Sequence, residues 1–212
     1  MGSQSLPIPP DEGPVQPLFA ILTLFPEALA PYTRESILQI AQRKGLAKIL
    51  LVDFRDFTRD RHRTVDDRPF GGGPGMVLKP EPVAECVEWL EARHGPFKKF
   101  ALCPSGRVFD QPMAAELARE ERVLLLCGRY EGFDERILES CGMQPLSIGD
   151  FVLAGGELAA LCVTEAAVRL IPGCLGDEQS SEQDSFGPAR SAEDPRADRP
   201  PLDFPHYTRP RV

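Results

Sequence analysis

Histidine and paired cysteine are scarce in this sequence, and their scarcity excludes several kinds of site. The three histidines, His62, His94 and His206, are scattered along the 212 residues. They support neither a zinc site nor a Ser-His-Asp triad, and no metal site is predicted. The six cysteines include no CxxC pair and lie mostly in apolar runs. This pattern is typical of small core residues in a reducing compartment and excludes a disulfide framework.

The sequence also lacks long hydrophobic runs and an excess of basic residues. Its longest apolar stretch, residues 18–25, is far too short to span a bilayer. No basic segment followed by a hydrophobic one opens the chain, so we expect no signal peptide, no membrane association and a cytoplasmic location. The 24 basic and 32 acidic residues give a net charge of −8. That charge excludes a generally basic protein that coats nucleic acid, but it allows a local RNA-binding patch.

What is present is an ordinary globular composition arranged as alternating strands and helices. Apolar residues make up 42% of the chain and charged residues 26%, enough for one substantial domain with a buried core. Apolar runs predict strands within residues 18–25, 48–54, 99–103, 123–127 and 145–151. Helices are predicted after Pro26 and over residues 35–44, 82–94, 111–120, 134–140 and 156–171. This alternation predicts an α/β fold with a mostly parallel sheet flanked by helices.

The two ends of the chain and one internal segment differ from this pattern. Residues 1–16 are polar and proline-rich, and we expect a disordered tail there. Residues 55–76 are predicted to be a long loop. Residues 174–203 are rich in Ser, Glu, Asp, Gln and Pro, which predicts a flexible acidic linker. Residues 204–212 are aromatic and basic again.

Glycines follow three of the predicted strands. They fall in residues 104–106, 128–132 and 148–156. In an open α/β sheet ligands bind beyond the carboxyl ends of the strands, and glycine lets the backbone approach a ligand closely. The three loops are therefore predicted to line one cleft, although any one of them alone is as easily a simple turn. Neither GxGxxG nor GxxxxGK[ST] is present to identify the ligand.

A dense block of charge precedes the first glycine-rich turn. Residues 55–68 contain five arginines and four aspartates. Arginines at this density can bind phosphates. They can equally form a solvated loop whose charges pair with one another, and charge alone favours that second interpretation.

Several longer motifs resemble those of one family. They are RDRHRTVDDRPFGGGPGM at 59–76, CGRYEGFDER at 127–136, SIGDFVLAGGE at 147–157, IPG at 171–173, DSF at 184–186 and PHYTRP at 205–210. In this order, across residues 18–212, they resemble the bacterial tRNA (guanine-N1)-methyltransferases, the TrmD family. The resemblance implies a SPOUT-type domain over residues 17–173 with a deep C-terminal trefoil knot. It also implies a homodimer with the active site at the subunit interface, S-adenosylmethionine as methyl donor, possible use of Mg²⁺, and tRNA as substrate.

The implied reaction methylates N1 of the guanosine immediately 3′ to the anticodon, tRNA position 37. By resemblance, Asp184 is the general base, Arg169 stabilises charge on guanine O6, and Glu131 is an acid near the cofactor. The cofactor contacts carried over are Pro104, Gly128, Tyr130, Gly132, Ile148, Gly149, Asp150, Phe151, Val152, Leu153, Gly155 and Gly156. The RNA contacts assigned are Arg59, Arg61, His62, Arg63, Arg68, Gly71, Gly72 and Gly73.

Each catalytic candidate also has a plainer interpretation. Asp184 is one of many acids in an acidic segment, Arg169 can pair with Glu165 along a helix, and Glu131 can favour a nearby helix N-terminus. Phe151 replaces a frequent Tyr of the family and Cys103 a frequent Ser. Asp150, Asp177 and Glu182 are candidate magnesium ligands, but their spacing defines no site.

The family usually continues into a helical C-terminal domain that binds tRNA, whereas this sequence stops at Val212. We therefore expect residues 204–212 to begin a truncated domain, and residues 187–200 resemble an insertion in the linker. Two alternatives to the main assignment follow. One is a related knotted methyltransferase that modifies another RNA nucleotide. The other is a non-catalytic remnant that binds S-adenosylmethionine or RNA.

Overall fold

The computed structural model of the chain describes residues 16–175, 186 and 207–209. The predicted tail at 1–16, linker at 174–203 and C-terminal element at 204–212 therefore lie almost wholly outside the described residues.

The central sheet has five strands, which are β1 (Leu18–Thr23), β2 (Lys48–Asp53), β5 (Lys98–Val108), β6 (Arg122–Cys127) and β7 (Gln144–Ser147). Their order in the sheet is β2-β1-β6-β5-β7, and every neighbouring pair is parallel. All of β1 is buried. An all-parallel sheet covered on both faces needs such near-continuous apolar strands. The predicted α/β fold with a mostly parallel sheet is confirmed.

Helices cover both faces of this sheet. They are α1 (Pro26–Thr33), α2 (Ser36–Arg43), α3 (Pro80–His94), α4 (Gln111–Leu117), α5 (Glu135–Cys141) and α6 (Glu157–Val168). Their starts follow local signals: Pro26 opens α1, and the Asp110 carboxylate caps α4 by accepting from the Met113 amide at 2.9 Å. Most predicted helix boundaries agree within a few residues, as frayed helix ends allow.

Alternate residues of β1 point into two hydrophobic layers. Phe19 and Ile21 pack with residues of α2, α4 and α6, whereas Ala20 and Leu22 pack with residues of α3 and α5. This alternation is the two-residue period of a strand. The sheet is thus held rigidly from both sides, and its carboxyl ends are fixed in space.

The structure departs from the sequence-based expectation at β5. The predicted strand covered residues 99–103, but β5 continues to Val108, and Leu146 of β7 pairs with both Leu102 and Arg107. Residues 103–106 bulge out between these two pairings. Their Pro, Ser and Gly have low strand propensity, so the second pairing depends on the tertiary contact with β7 and has no local signal.

The predicted loop at 55–76 is partly ordered. It begins with a 3₁₀ turn at Phe54–Phe57, and β3 (Asp66–Asp67) pairs with β4 (Val77–Leu78) as a short antiparallel ladder. Two-residue strands are too short to be recognised by alternation.

The cysteines agree with the expectation from their sequence pattern. All six cysteines are free, and Cys86, Cys127, Cys141 and Cys174 are buried. Among the described residues, no helix combines the length and the apolar character that crossing a bilayer requires.

Candidate active site

A cleft of about 520 Å³ opens at the bulge of β5 and at the carboxyl ends of β6 and β7. Residues of all three predicted glycine loops line it, so the sequence located this cleft correctly. The predicted cofactor residues that line it are Pro104, Gly128, Tyr130, Gly132, Ile148, Gly149, Phe151, Val152, Leu153, Gly155 and Gly156. Asp150 is exposed and does not line the cleft. A cavity of this volume accommodates a small molecule or cofactor.

Close backbone approach shapes the cleft floor. The Gly156 amide donates to the Gly128 carbonyl at 2.9 Å, and a Cβ on Gly156 would lie 2.8 Å from the Cα of Cys127. A side chain at position 156 would therefore force the loop away from the end of β6. The loop over residues 148–156 is fixed further by the Gly149 amide, which donates to the Ser147 hydroxyl at 3.1 Å.

One residue of the cleft has an unusual backbone conformation. Tyr130, between Gly128 and Gly132, has φ +61°, in the left-handed region that glycine favours. Held there, the Tyr130 side chain is exposed at the cleft. Backbone strain of this kind is concentrated at functional sites.

Glu131 connects the cleft to the arginine-rich loop. Its amide donates to the Met76 carbonyl at 3.0 Å, and the Leu78 amide donates to the Gly132 carbonyl at 3.0 Å. Gly75 leaves room for the Glu131 side chain, since a Cβ there would lie 2.4 Å from Glu131 Cγ. The sequence contained no signal for this packing of Gly75.

Asp134, which follows the cleft loop, is occupied structurally. The Arg136 guanidinium donates to its carboxylate from Nε at 2.8 Å, and this hydrogen bond lowers the pKa of Asp134 to about 2. The same carboxylate accepts from the Arg136 amide and caps α5. Asp134 is therefore ionised and committed to α5 at neutral pH.

The predicted RNA-binding residues are all exposed, but their charges differ in availability. Arg59 pairs with Glu85 at 2.7 Å, and Arg63 pairs with Asp56. Arg61 and Arg68 form no ion pair with any described residue. His62 lies on the same loop, and its amide donates to the Asp60 carboxylate at 2.9 Å. Some arginines of this block therefore pair with nearby acidic residues, while others remain available to bind phosphates.

Gly71, Gly72 and Gly73 form the exposed tip of the same loop. All three have positive φ, and a Cβ on any of them would meet no atom within 4 Å. The tip is therefore fixed by backbone conformation and not by crowding. Glycine is needed there for the chain reversal, which the Gly72 amide stabilises by donating to the Pro69 carbonyl at 3.1 Å.

The structure does not bring Glu131 and Arg169 together. Glu131 lines the cleft, while Arg169 caps the other end of α6 and does not line it. At about 1.5 Å per residue, α6 separates Arg169 from Gly156 by roughly 20 Å. Asp184, Asp177 and Glu182 lie outside the described residues. Within those residues no three His, Cys, Asp or Glu side chains are grouped to hold a metal ion.

Sequence reasoning missed two residues next to the cleft, Arg129 and Glu157. Glu157 is buried, and its Oε2 lies 3.0 Å from Arg129 Nη2. Thr23 at the end of β1 donates to Glu157 Oε1 at 2.9 Å. The only local signal was an acid in the first turn of a predicted helix, which is common at helix N-termini.

Comparison with known proteins identifies relatives along almost the whole chain. The sequence profile described as tRNA (Guanine-1)-methyltransferase TrmD matches residues 18–212. A tRNA (guanine-N(1)-)-methyltransferase of Rhodopirellula baltica is 49% identical over 195 residues, covering 91% of this chain and 77% of the relative. The corresponding protein of Koribacter versatilis is 47% identical over 203 residues, covering 90% of this chain and 75% of the relative.

A solved structure is similar as well. The crystal structure of tRNA (m1G37) methyltransferase from Aquifex aeolicus matches with a TM-score of 0.71 and 35% sequence identity, covering 90% of this chain and 81% of that one. The resemblance stated from the motifs is thus confirmed by profile, sequence and fold. The chain belongs to the tRNA (guanine-1)-methyltransferase TrmD family, a family of methyltransferase enzymes.

Proposed function

We propose that this protein transfers a methyl group from S-adenosylmethionine to N1 of the guanosine immediately 3′ to a tRNA anticodon, position 37. The observation that carries the proposal is the cleft of about 520 Å³ at the bulge of β5 and the carboxyl ends of β6 and β7, lined by the three glycine-containing segments in a chain of this family. We place the reaction in the cytoplasm and assign residues 17–173 to a SPOUT-type domain with a C-terminal trefoil knot.

The residues of the cleft fit S-adenosylmethionine. Gly128 and Gly156 let two loops pack closely at the cleft floor without side chains in the way, and Ile148 and Leu153 supply apolar walls. The adjoining loop residues, Gly149 to Gly155, provide backbone groups to a ligand that approaches closely. Bound there, S-adenosylmethionine supplies an electrophilic methyl group. The work left to the protein is therefore mainly positioning and proton removal.

Three side chains carry the chemistry at the guanine. N1 of guanine bears a proton, which Asp184 accepts as general base when the new bond to N1 forms. Electron density that moves to O6 is stabilised by the Arg169 guanidinium. Glu131 lines the cleft and, together with Gly75, connects it to the arginine-rich loop. We assign Glu131 to orienting the reacting groups at the cofactor side.

The separation of Arg169 from the cleft supports a homodimer. Arg169 lies at the far end of α6 and the cleft at its beginning, so one described chain does not contain both groups in one place. We propose that two subunits pair so that Arg169 and Asp184 of one act at the cleft of the other. The active site is then at the subunit interface.

The substrate tRNA is assigned to the arginine-rich loop and to residues 204–212. Arg61 and Arg68 are exposed and form no ion pair with a described residue, so they can contact phosphates. Arg59, His62 and Arg63 lie on the same loop, and the tip at Gly71, Gly72 and Gly73 is exposed, with the Gly72 amide already donating to the Pro69 carbonyl at 3.1 Å. The linker at 174–203 carries the proposed base. No step is assigned to Mg²⁺.

Methyl transfer to a defined tRNA tests the proposal. An unmodified transcript with guanosine at position 37 is incubated with methyl-labelled S-adenosylmethionine, and the product is digested to nucleosides. N1-methylguanosine is the expected product. A different methylated nucleoside favours another knotted RNA methyltransferase, and donor binding without any product favours a non-catalytic remnant.

Variants assign the base. Asp184→Asn removes the proton acceptor and lowers the rate by about a hundredfold or more, the usual range for general-base loss. Asp194→Asn makes the same change of charge in the same acidic segment and keeps the wild-type rate. Equal losses in both variants would refute Asp184 as the base.

A further inference from the structure

Glu157 is the one acidic or basic side chain that is buried among the described residues, with 6% of its surface exposed. A buried carboxylate is costly unless it is paired and hydrogen-bonded. Its position in the first turn of α6 offsets only part of this cost, through the partial positive charge at the helix N-terminus. The proposed chemistry does not use Glu157, so the reason for this buried charge has to be found in its contacts.

Those contacts join three separate segments of the chain. Oε1 accepts from Thr23 Oγ1 at the end of β1 at 2.9 Å and from Arg129 Nε after β6 at 3.2 Å. Oε2 accepts no hydrogen bond from a described residue but lies 3.0 Å from Arg129 Nη2, so the guanidinium compensates its charge. The Thr23 hydroxyl in turn accepts from the Phe25 amide at 2.9 Å.

Arg129 extends this network to the loop that follows β7. Its Nη1 donates to the Ala154 carbonyl at 3.4 Å, and its guanidinium carbon lies 4.4 Å from the centre of the Phe25 ring, a cation–π contact. A Cβ on Gly155 would lie 2.3 Å from Arg129 Nε and 2.5 Å from Glu157 Oε2. The ion pair therefore lies directly against the backbone of the loop.

We propose that Thr23, Arg129 and Glu157 form a clamp that holds the loop at residues 148–156 against Gly128 and so preforms the cofactor side of the cleft. Thr23 and Glu157 do not line the cleft and are positioning residues that act through Arg129 and the loop. The inference rests on the proposed function, because it names how the site for S-adenosylmethionine is kept ready.

A preformed loop reduces the ordering that binding requires. When only a fraction of the molecules hold the loop in the binding-competent position, the apparent dissociation constant equals the intrinsic one divided by that fraction, so it rises as the fraction falls. Once the donor is bound, the loop is in place and the chemical step is unaffected. A weakened clamp therefore raises KM for S-adenosylmethionine and leaves kcat at saturating donor nearly unchanged.

Thr23→Val tests this with little change of volume. It removes the hydroxyl that donates to Glu157, and we expect KM for S-adenosylmethionine to rise about tenfold, as for a lost hydrogen bond to a charged group. The value of kcat should stay within about twofold, because the chemical groups are untouched. Thr23→Ser restores the hydroxyl and should restore KM.

Two further variants complete the set. Gly155→Ala drives a methyl group into the Arg129–Glu157 pair without removing a charge, and we expect it to weaken donor binding at least as much as Thr23→Val. Thr164→Val is the matched control, since Thr164 is fully buried in α6 and its hydroxyl has no hydrogen-bond partner in the described chain. It should leave KM unchanged.

Hydrogen exchange in the ligand-free protein separates this inference from the proposed function. The Gly156 amide, which donates to Gly128, should exchange faster in Thr23→Val and Gly155→Ala than in the wild type, Thr23→Ser and Thr164→Val. If the wild type binds no S-adenosylmethionine, the proposed function fails. The exchange rate of the Gly156 amide then tests by itself whether the clamp holds the loop. The clamp would be overturned if Thr23→Val had the same exchange rate at Gly156 and the same KM as the wild type. It would also be overturned if Thr164→Val shifted KM as much as Thr23→Val does.

Discussion

Gly106 is the position where a single added methyl group should cost most. It lies in the bulge of β5, between the two pairings of that strand with Leu146. A Cβ on Gly106 would lie 2.3 Å from the nitrogen of Leu146 and 2.4 Å from the carbonyl carbon of Pro145. Both are backbone atoms of the neighbouring strand β7, so no side chain can rotate away. Gly106→Ala therefore forces β5 and β7 apart.

The size of the effect follows from the contacts. Overpacking a rigid site typically costs about 1–3 kcal/mol, and a clash with backbone belongs at the upper end, about 3 kcal/mol. For a chain of 212 residues, each kcal/mol lowers Tm by about 2–4 °C, so we expect Tm to fall by about 6–12 °C. The bulge also lines the cleft, so affinity for S-adenosylmethionine should fall in the same variant.

Differential scanning calorimetry of Gly106→Ala and Gly128→Ala side by side measures this effect. Gly128 is in the same cleft, but its Cβ would lie 3.3 Å from ring atoms of Phe133, a side chain that can shift, and 3.4 Å from the Leu102 carbonyl oxygen. We expect Gly128→Ala to cost less than about 1 kcal/mol, a change below about 4 °C. A Tm for Gly106→Ala within about 2 °C of wild type, or equal shifts in both variants, would refute the reasoning.

Three further outcomes concern the RNA surface, the cleft and a buried cysteine. Arg61→Ala should reduce the slope of log K against log salt for tRNA binding by about 1, and Arg59→Ala by less because Glu85 already pairs with Arg59; equal slopes would contradict this. Cys103 in the cleft should react with a maleimide and be protected by S-adenosylmethionine, while exposed Cys162 reacts regardless of donor. Protection of Cys162 by the donor, in place of Cys103, would disprove the cleft assignment. Peptide mass spectrometry should find Cys86 unmodified at neutral pH, because burial raises the pKa of its thiol and suppresses the thiolate.

Much of the fold was predictable because local and tertiary preferences agree. Each run of apolar residues that the sequence assigned to a strand contains a strand of the central sheet, and in β1 Phe19 and Ala20 pack into opposite layers. The cleft was predictable for a related reason. Parallel strands end at one edge of the sheet, so glycine loops that follow consecutive strands meet there.

The features that were missed all depend on contacts between distant segments. The hydrogen bond from Thr23 to Glu157 joins residues 134 positions apart, and neither residue carries a local pattern that indicates the other. The close contact between Gly106 and Leu146 likewise depends on the pairing of β7 with β5, strands that are distant in the sequence. In the sequence, a glycine required by such a contact cannot be distinguished from a glycine required by a turn. Only the fold distinguishes them.

The position of Arg169 shows how the fold constrains the chemistry. The buried face of α6 includes Ala160, Val163 and Ala167, which pack into the same layer as β1, so the helix is a rigid spacer. Gly156 at its beginning belongs to the cleft, and Arg169 at its end lies roughly 20 Å away at about 1.5 Å per residue. No side-chain rotation closes such a distance. If Arg169 and Glu131 act on the same guanosine, they come from different chains, and this is the physical basis for proposing a homodimer with its active site at the subunit interface.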